Sequence, residues 1–459
     1  MNEYEVIVIG AGTAGLGISA LLARRGYRVA LIEKEPRVGG RASTFTYRGY
    51  CVDVGLHALA SCSSSGIEAL LKDVGAEMDL VPIRPSLMHF DLNTRRYHRA
   101  TSQEALGEDV YKAFKELVQV VTNMPQEQID SLHDISSTQW LMGRIGRREL
   151  LGFFKKITGF AGQPLDAISA GAFLETLKDA FMSEVTISYP SKGGIKGFSE
   201  ALAHSFIKRG GTLITELCCQ RVKIDNNTVR GISGKKIHPG LAADVEIEAP
   251  VVVCTNPVYQ LPSLVDSSFI NAQTMSKIKS ITQDRYWYAG IIAGVEASLF
   301  QPFGENQFFQ FAVDRLGEDR HLLVTVPSYA DPALAPPGRH LVFADDHGPI
   351  PLGDDAEACN RLDWVMDMTE EALPGFRNHI DWIMRVRYND ILFTPRTGAT
   401  GPQYRIGSSV IGVRGLYLAG DACYLSGSGI GSAIKSAWEC LRKIERDNLL
   451  NKSQAGDRK

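Results

Sequence analysis

The sequence predicts an α/β fold in which a parallel sheet is assembled from separated stretches of chain and joined to a second, α+β domain. Three observations carry this expectation: an apolar run at residues 5–9 (EVIVI), a glycine turn directly behind it, and a second strand followed by a glycine-rich helix start at residues 415–432. A run that is apolar on both faces suits a parallel strand, because helices or other layers cover both of its surfaces. The 459 residues give room for two or three domains. With 44% hydrophobic and 22% charged residues, the chain has the balance of a globular protein with a sizeable core.

The opening unit reads strand, turn, helix, strand. Gly10-Ala11-Gly12-Thr13-Ala14-Gly15 follows the first strand, a helical stretch spans 16–25, and a second apolar run at 29–32 ends in Glu33. Gly10 permits the tight turn, Gly12 lets backbone approach a pyrophosphate, and Gly15 allows helix and strand to pack closely. The helix start, with Thr13 and Ala14, offers unpaired N–H groups and a positive dipole end to phosphates. Glu33 stands about 20 residues beyond the turn, where an acid accepts from ribose hydroxyls. This is a Rossmann-type dinucleotide site, and the acid disfavours a 2′-phosphate.

Immediately behind Glu33, Gly39-Gly40-Arg41 removes side chains where a bulky cofactor passes and places a guanidinium against its phosphates. Near the other end, residues 415–422 (GLYLAGDA) read as a buried strand ending in Asp421, placed to accept from a ribitol hydroxyl. The glycine-rich turn through Gly429 and Ile430 then opens a helix over 432–445, whose N-terminus would stabilise charge developing at a flavin N1–C2=O edge. GAGTAG, Glu33, RVGGRASTF and GLYLAGDACYLSGSGIGSA together resemble the flavin amine oxidase and phytoene desaturase superfamily, with the C-terminal segment most similar to the carotenoid desaturase and isomerase branch. The resemblance implies FAD as cofactor. It implies that the first-turn glycines, Glu33 and Arg41 hold the ADP half and that Asp421 meets the ribitol, with Thr44 and Gly420 as further cofactor contacts. It further implies that Gly55 and His57 of the D-x-G-x-H stretch pass near the isoalloxazine, and that Val222 pairs with adenine through its backbone.

The same resemblance implies a Rossmann-type FAD-binding domain made of discontinuous segments, 1–85, 189–265 and 395–450. An α+β substrate-binding domain then takes 86–188 and 266–394, and the polar residues 451–459 form a flexible tail. Residues 86–188 are helical in pattern, with apolar spacing over 103–121, 137–160 and 167–181. Strand-like runs follow at 286–295, 308–313, 322–326 and 341–344.

Lys plus Arg number 49 against 52 Asp plus Glu, for a formal charge of −3, which gives no reason to expect nucleic acid as partner. Eight cysteines lack any C-x-x-C pair, so no metal site is expected and reduced thiols in a cytoplasmic setting fit best. No signal-peptide pattern opens the chain, and no apolar run reaches the ~18 residues of a spanning helix. The basic, Leu- and Phe-rich stretch 144–156 reads as a helix with a solvated basic face. A peripheral membrane contact is its alternative reading, tied to a lipid substrate.

Flavin dehydrogenation needs a C–H held near N5, a dry pocket and a route for the proton. His57 is the candidate titratable group, since imidazole changes charge near neutral pH, although a single histidine serves packing more often. Tyr286 and Tyr288, alternating on one strand, and Cys423, just past Asp421, are candidates for the substrate pocket. Residues 281–290 contain no lysine of the kind some relatives place beside N5, and Tyr424 is the only aromatic near the C-terminal turn. The expected activity is therefore desaturation or isomerisation of a small, largely apolar substrate such as a carotenoid or other isoprenoid, with oxygen or a quinone as electron acceptor. The alternatives are oxidation of a porphyrinogen or amine, and a non-catalytic escort of prenylated partners resembling GDP-dissociation inhibitors.

Overall fold

The computed structural model describes residues 3–55, 57–60, 65–144, 146, 150–151, 153–154, 165–182, 187–238, 241–282, 286–304, 308–314, 320–389, 405–424 and 429–450. Its centre is a five-stranded sheet in the order Thr212–Ile214, Val29–Ile32, Val6–Ile9, Val251–Cys254, Leu416–Leu418, with every pair parallel. Strand side chains alternate between faces, and here both faces are covered. Val6 and Val8 pack toward helices Thr13–Arg24, Lys196–Lys208 and Gly429–Asp447, whereas Ile7 and Ile9 pack toward a three-stranded antiparallel sheet. That sheet is formed by Leu217–Asp225, Thr228–His238 and Leu241–Glu248. Phe198, fully buried beneath the helical face, tests this packing. Phe198→Ala should cost about 3–5 kcal/mol, read as a lowered urea midpoint.

A seven-stranded sheet forms the second domain, in the order Ile380–Asn389, Tyr286–Glu296, Arg339–Pro351, Leu322–Thr325, Gln310–Asp314, Met88–Asp91, Arg96–Arg99. Pairing is antiparallel except between Gln310–Asp314 and Met88–Asp91. Helix Asp355–Ala372 covers one face, against Ile291, Ala293 and Val295. The opposite face, through Ile292, Leu341 and Phe343, packs into the core of the parallel-sheet domain. One surface of this sheet therefore looks toward the dinucleotide-type fold.

Two features depart from the helical pattern read over 86–188. Met88–Asp91 and Arg96–Arg99 form a hairpin, in which Met88 and Phe90 alternate into the core. Asp91 accepts from the Asn93 N–H (2.9 Å) and the Thr94 hydroxyl (2.8 Å), closing the turn. The helix expected over 103–121 is two, Gln103–Leu106 and Glu108–Thr122, because Gly107 between them adopts φ 76°. With Ser137–Arg144 and Ala170–Met182 they enclose their own apolar core. Within the basic stretch, Leu150 and Phe154 lie buried in that core; its basic residues after Arg144, like the tail 451–459, fall outside the described residues. Among the described residues, no helix is long and apolar enough to cross a membrane, and every cysteine is a free thiol.

Candidate cofactor site and active site

All five parallel strands end on one edge, where loops from separate parts of the chain meet around a cleft of about 640 Å³. The first wall is the glycine turn. Gly10 adopts φ +99°, and Thr255 donates its hydroxyl to the carbonyls of Ile9 (2.8 Å) and Gly10 (2.9 Å), pinning the turn. A Cβ added at Gly12 would meet nothing within 4 Å, so this position opens into the cleft. Gly12 caps helix Thr13–Arg24 without a side-chain hydrogen bond, leaving the first-turn donors available to a ligand. Thr13 and Ala14 line the cleft beside it. Gly15 does not, and its role is packing: a Cβ there would sit 1.8 Å from the Gly10 carbonyl oxygen.

Glu33 lines the next wall, 8% exposed, and accepts from the Ala11 N–H at 2.7 Å and the Glu35 N–H at 3.0 Å. Each carboxylate oxygen keeps a lone pair for a further donor. Gly39 and Gly40 both have positive φ, and the Gly39 N–H donates to the Ala11 carbonyl at 2.8 Å, drawing this turn against the first. Arg41 reaches across the cleft to Asp421, Nη2 to Oδ2 3.3 Å, so the two ends of the chain meet in one ion pair. Gly420, Gly429 and Ile430 line the far wall; residues 425–428 lie outside the described residues. Behind Asp421 stands Arg405, fully buried, whose Nη1 donates to the Asp421 carbonyl at 3.1 Å. Burial pulls its guanidinium down to about 10, which still leaves it charged at neutral pH.

Thr44, Gly55 and Val222 lie away from the cleft wall. Thr44 donates to Asp53 Oδ1 (2.8 Å) and accepts the Lys196 N–H (3.1 Å). Asp53 also accepts from the Tyr189 hydroxyl and the Ile195 N–H, and burial lifts its carboxyl to about 6. This polar knot ties the GGR turn to the middle segment. Gly55 is buried next to Val54, which does line the cleft. Val222 packs into the core below, while Cys218 and Cys219 of the same strand line the wall.

His57 touches the second domain. Its ring lies 3.9 Å from that of Phe343, and Nε2 is 3.7 Å from Asp345 Oδ2. Asp345 is 4% exposed and burial raises its carboxyl to about 7. Tyr388 lies beside it, its hydroxyl pushed well up by burial and by that neighbouring carboxyl. A Cβ at Gly290 would meet Asp345 Oδ1 at 2.1 Å, so the bare glycine makes room for the acid. Tyr288 is buried, and strand alternation puts it on the same face as Gly290 and Ile292. The side chain of Tyr286 lies outside the described residues. Cys423 is buried in the core under the parallel sheet, with its thiol pushed up to about 12, and so stays a neutral thiol.

The flavin containing amine oxidoreductase family matches residues 13–443 of this chain. The chain belongs to that family. Among curated relatives, prolycopene isomerase 1 from an Oncidium hybrid cultivar is 22% identical over 97% of this chain and 84% of its own length. Phytoene dehydrogenase from Streptomyces griseus is 23% identical over 74% of this chain and 72% of its own. Among solved structures, an oxidoreductase from Methanosarcina mazei superposes with a TM-score of 0.75 at 20% identity, covering 96% of this chain and all of that one.

This flavoprotein oxidoreductase is FAD-dependent, and its cleft fits the cofactor. A cradle that a Cβ would fill at Gly12, a helix start with open donors and an Arg41–Asp421 clasp converge on one groove. Thr255, Asn256, Pro257, Tyr259 and Gln260 also line it. No glycine signature marks this stretch in the sequence; the pairing of Val251–Cys254 with Val6–Ile9 is what carries these residues beside the glycine turn. Arg41→Ala should weaken FAD binding by about tenfold, roughly 1.4 kcal/mol, since the half-exposed guanidinium is partly screened. Quenching of FAD fluorescence on titration reads this directly.

Proposed function

We propose that this oxidoreductase desaturates or isomerises a largely apolar hydrocarbon of the isoprenoid polyene class. The observation that carries the reading is the end-to-end likeness to prolycopene isomerases, supported by the partial match to a phytoene dehydrogenase. The site's chemistry agrees. Strand Tyr286–Glu296 contains no lysine, and its face toward the parallel-sheet domain is built from Tyr288, Gly290, Ile292 and Gly294. Asp345 and Tyr388 fill the space over Gly290, and Tyr50 and Trp382 that over Gly294, so apolar and aromatic groups surround one titratable carboxyl on this face.

Bound FAD supplies a two-electron acceptor at N5. The chain's own part is to position substrate and handle the proton. The His57 Nε2–Asp345 pair shares a buried position in which a carboxyl lifted to about 7 retains or yields a proton near neutrality. Phe343 holds the imidazole plane against the sheet. The half-buried helix start at Gly429 and Ile430 lines the cleft and directs its dipole toward it.

The test is an anaerobic incubation of oxidised holoenzyme with linear polyene hydrocarbons, a porphyrinogen and a primary amine, followed by visible absorbance and chromatography. Desaturation bleaches the flavin band as the polyene loses two hydrogens. Isomerisation changes the cis/trans composition without net bleaching. Bleaching by the amine or the porphyrinogen, with the polyenes unchanged, overturns the proposal.

A further inference from the structure

We propose that Asp130, His133 and Glu175 form a binding site for one divalent first-row transition-metal cation of the Mn2+ or Zn2+ class. None of the three residues lines the cofactor cleft, although Arg405, behind Asp421, and Lys435 lie near enough to act on Glu175. Asp130 ends helix Gln126–Asp130, His133 follows it, and Glu175 projects from helix Ala170–Met182. A ligand atom from each of the three lies within 4.8 Å of the others.

The histidine argues for a ligand beyond the acids themselves. His133 is 8% exposed, yet among the described residues its Nε2 has no hydrogen-bond partner. An unsatisfied ring nitrogen at this depth is costly. The other nitrogen, Nδ1, lies 3.1 Å from Ser169 Oγ, which also accepts the Ala172 N–H. With a cation on Nε2, Nδ1 carries the ring proton and donates it to Ser169 Oγ, the outward hydrogen bond by which metal-bound imidazoles are oriented. The ring is held in place, since a Cβ on Gly171 would lie 2.5 Å from Nδ1 and the bare glycine leaves its space to the imidazole.

The carboxylates complete the donor set. Gln126 Nε2 donates to Asp130 Oδ1 (2.8 Å) and to Glu175 Oε1 (3.3 Å), drawing the two acids together while leaving lone pairs on each. A divalent cation would relieve the repulsion between the acids. One imidazole nitrogen and two carboxylate oxygens suit Mn2+ or Zn2+ better than Mg2+ or Ca2+, which favour all-oxygen shells. Asp130 is exposed, so an ion has an open approach. Bound there, it would clamp the two helices that carry these residues.

The experiment uses the full-length holoprotein, stripped with a chelator and titrated with Mn2+ while free ion is followed by electron paramagnetic resonance. Thiolates hold Mn2+ poorly, so the free cysteines do not compete. The proposal expects one Mn2+ per chain, displaced by Zn2+ and not by equimolar Mg2+, with at least a tenfold loss of affinity in His133→Ala. Glu175→Gln keeps the shape of its site and serves as the second variant, with FAD content and circular dichroism confirming the fold of both. No Mn2+ bound at millimolar concentration, or equal binding by wild type and either folded variant, overturns the proposal.

Discussion

Gly12→Asp should yield a folded protein that stays colourless. The added side chain meets no protein atom near its Cβ and projects into the cleft, so packing is spared. Its carboxylate then occupies the space of the cofactor diphosphate at the helix start, where like charges in a confined site cost several kcal/mol. FAD affinity should fall by at least a hundredfold, about 2.7 kcal/mol, with far-ultraviolet circular dichroism unchanged. Gly15→Ala provides the contrast, because its Cβ collides with the Gly10 carbonyl and disturbs the fold itself. Flavin absorbance after gel filtration with excess FAD checks both variants.

Asp345→Asn should remove an ionisation near neutrality from the pH dependence of turnover and lower the rate by roughly 10²–10⁴, the usual span for loss of a group that manages a proton. The same substitution changes stability with a definite sign. The Asp345 carboxyl is raised in the folded protein, from the ordinary 3.8 to about 7, by burial. The native state therefore holds this proton over a range in which the unfolded chain has lost it. The stability it confers is complete below pH 4 and is lost as pH rises to about 7. At ~1.4 kcal/mol per unit, the loss reaches about 4 kcal/mol at most, because water penetration and the neighbouring Tyr388 hydroxyl moderate the burial penalty. Asn does not titrate. Urea midpoints between pH 4.5 and 8 should fall more steeply for wild type than for Asp345→Asn. Asp53 and Glu175 are also raised, but they contribute to both proteins and cancel in the comparison.

The cofactor end was legible because its constraints act on backbone and are local. A tight turn at Gly10, an open approach at Gly12 and a helix packed on a strand at Gly15 each require a residue without a side chain, and an apolar tetrad flanks them. Arg41 and Asp421 were legible as contacts of one ligand from two motifs, but the ion pair between them was not. Register was not legible. Asp345 is a polar residue within a long strand, and only the placement of Arg339–Pro351 beside Tyr286–Glu296 sets it against Gly290 and His57. The same holds for Arg405, whose stretch carries no glycine signature yet buries a cation behind Asp421. The Met88–Arg99 hairpin escaped notice because its strands are short and lie next to strongly helical segments.

The central claim is that turns from the two ends of the polypeptide grip opposite halves of a single FAD. It is tested most directly by the flavin-to-protein ratio of wild type, Gly12→Asp and Asp421→Ala after saturation with FAD and removal of the excess. The account predicts one isoalloxazine per wild-type chain and little on either variant. Wild-type chain that emerges without flavin absorbance, or variants that retain full occupancy, would contradict it.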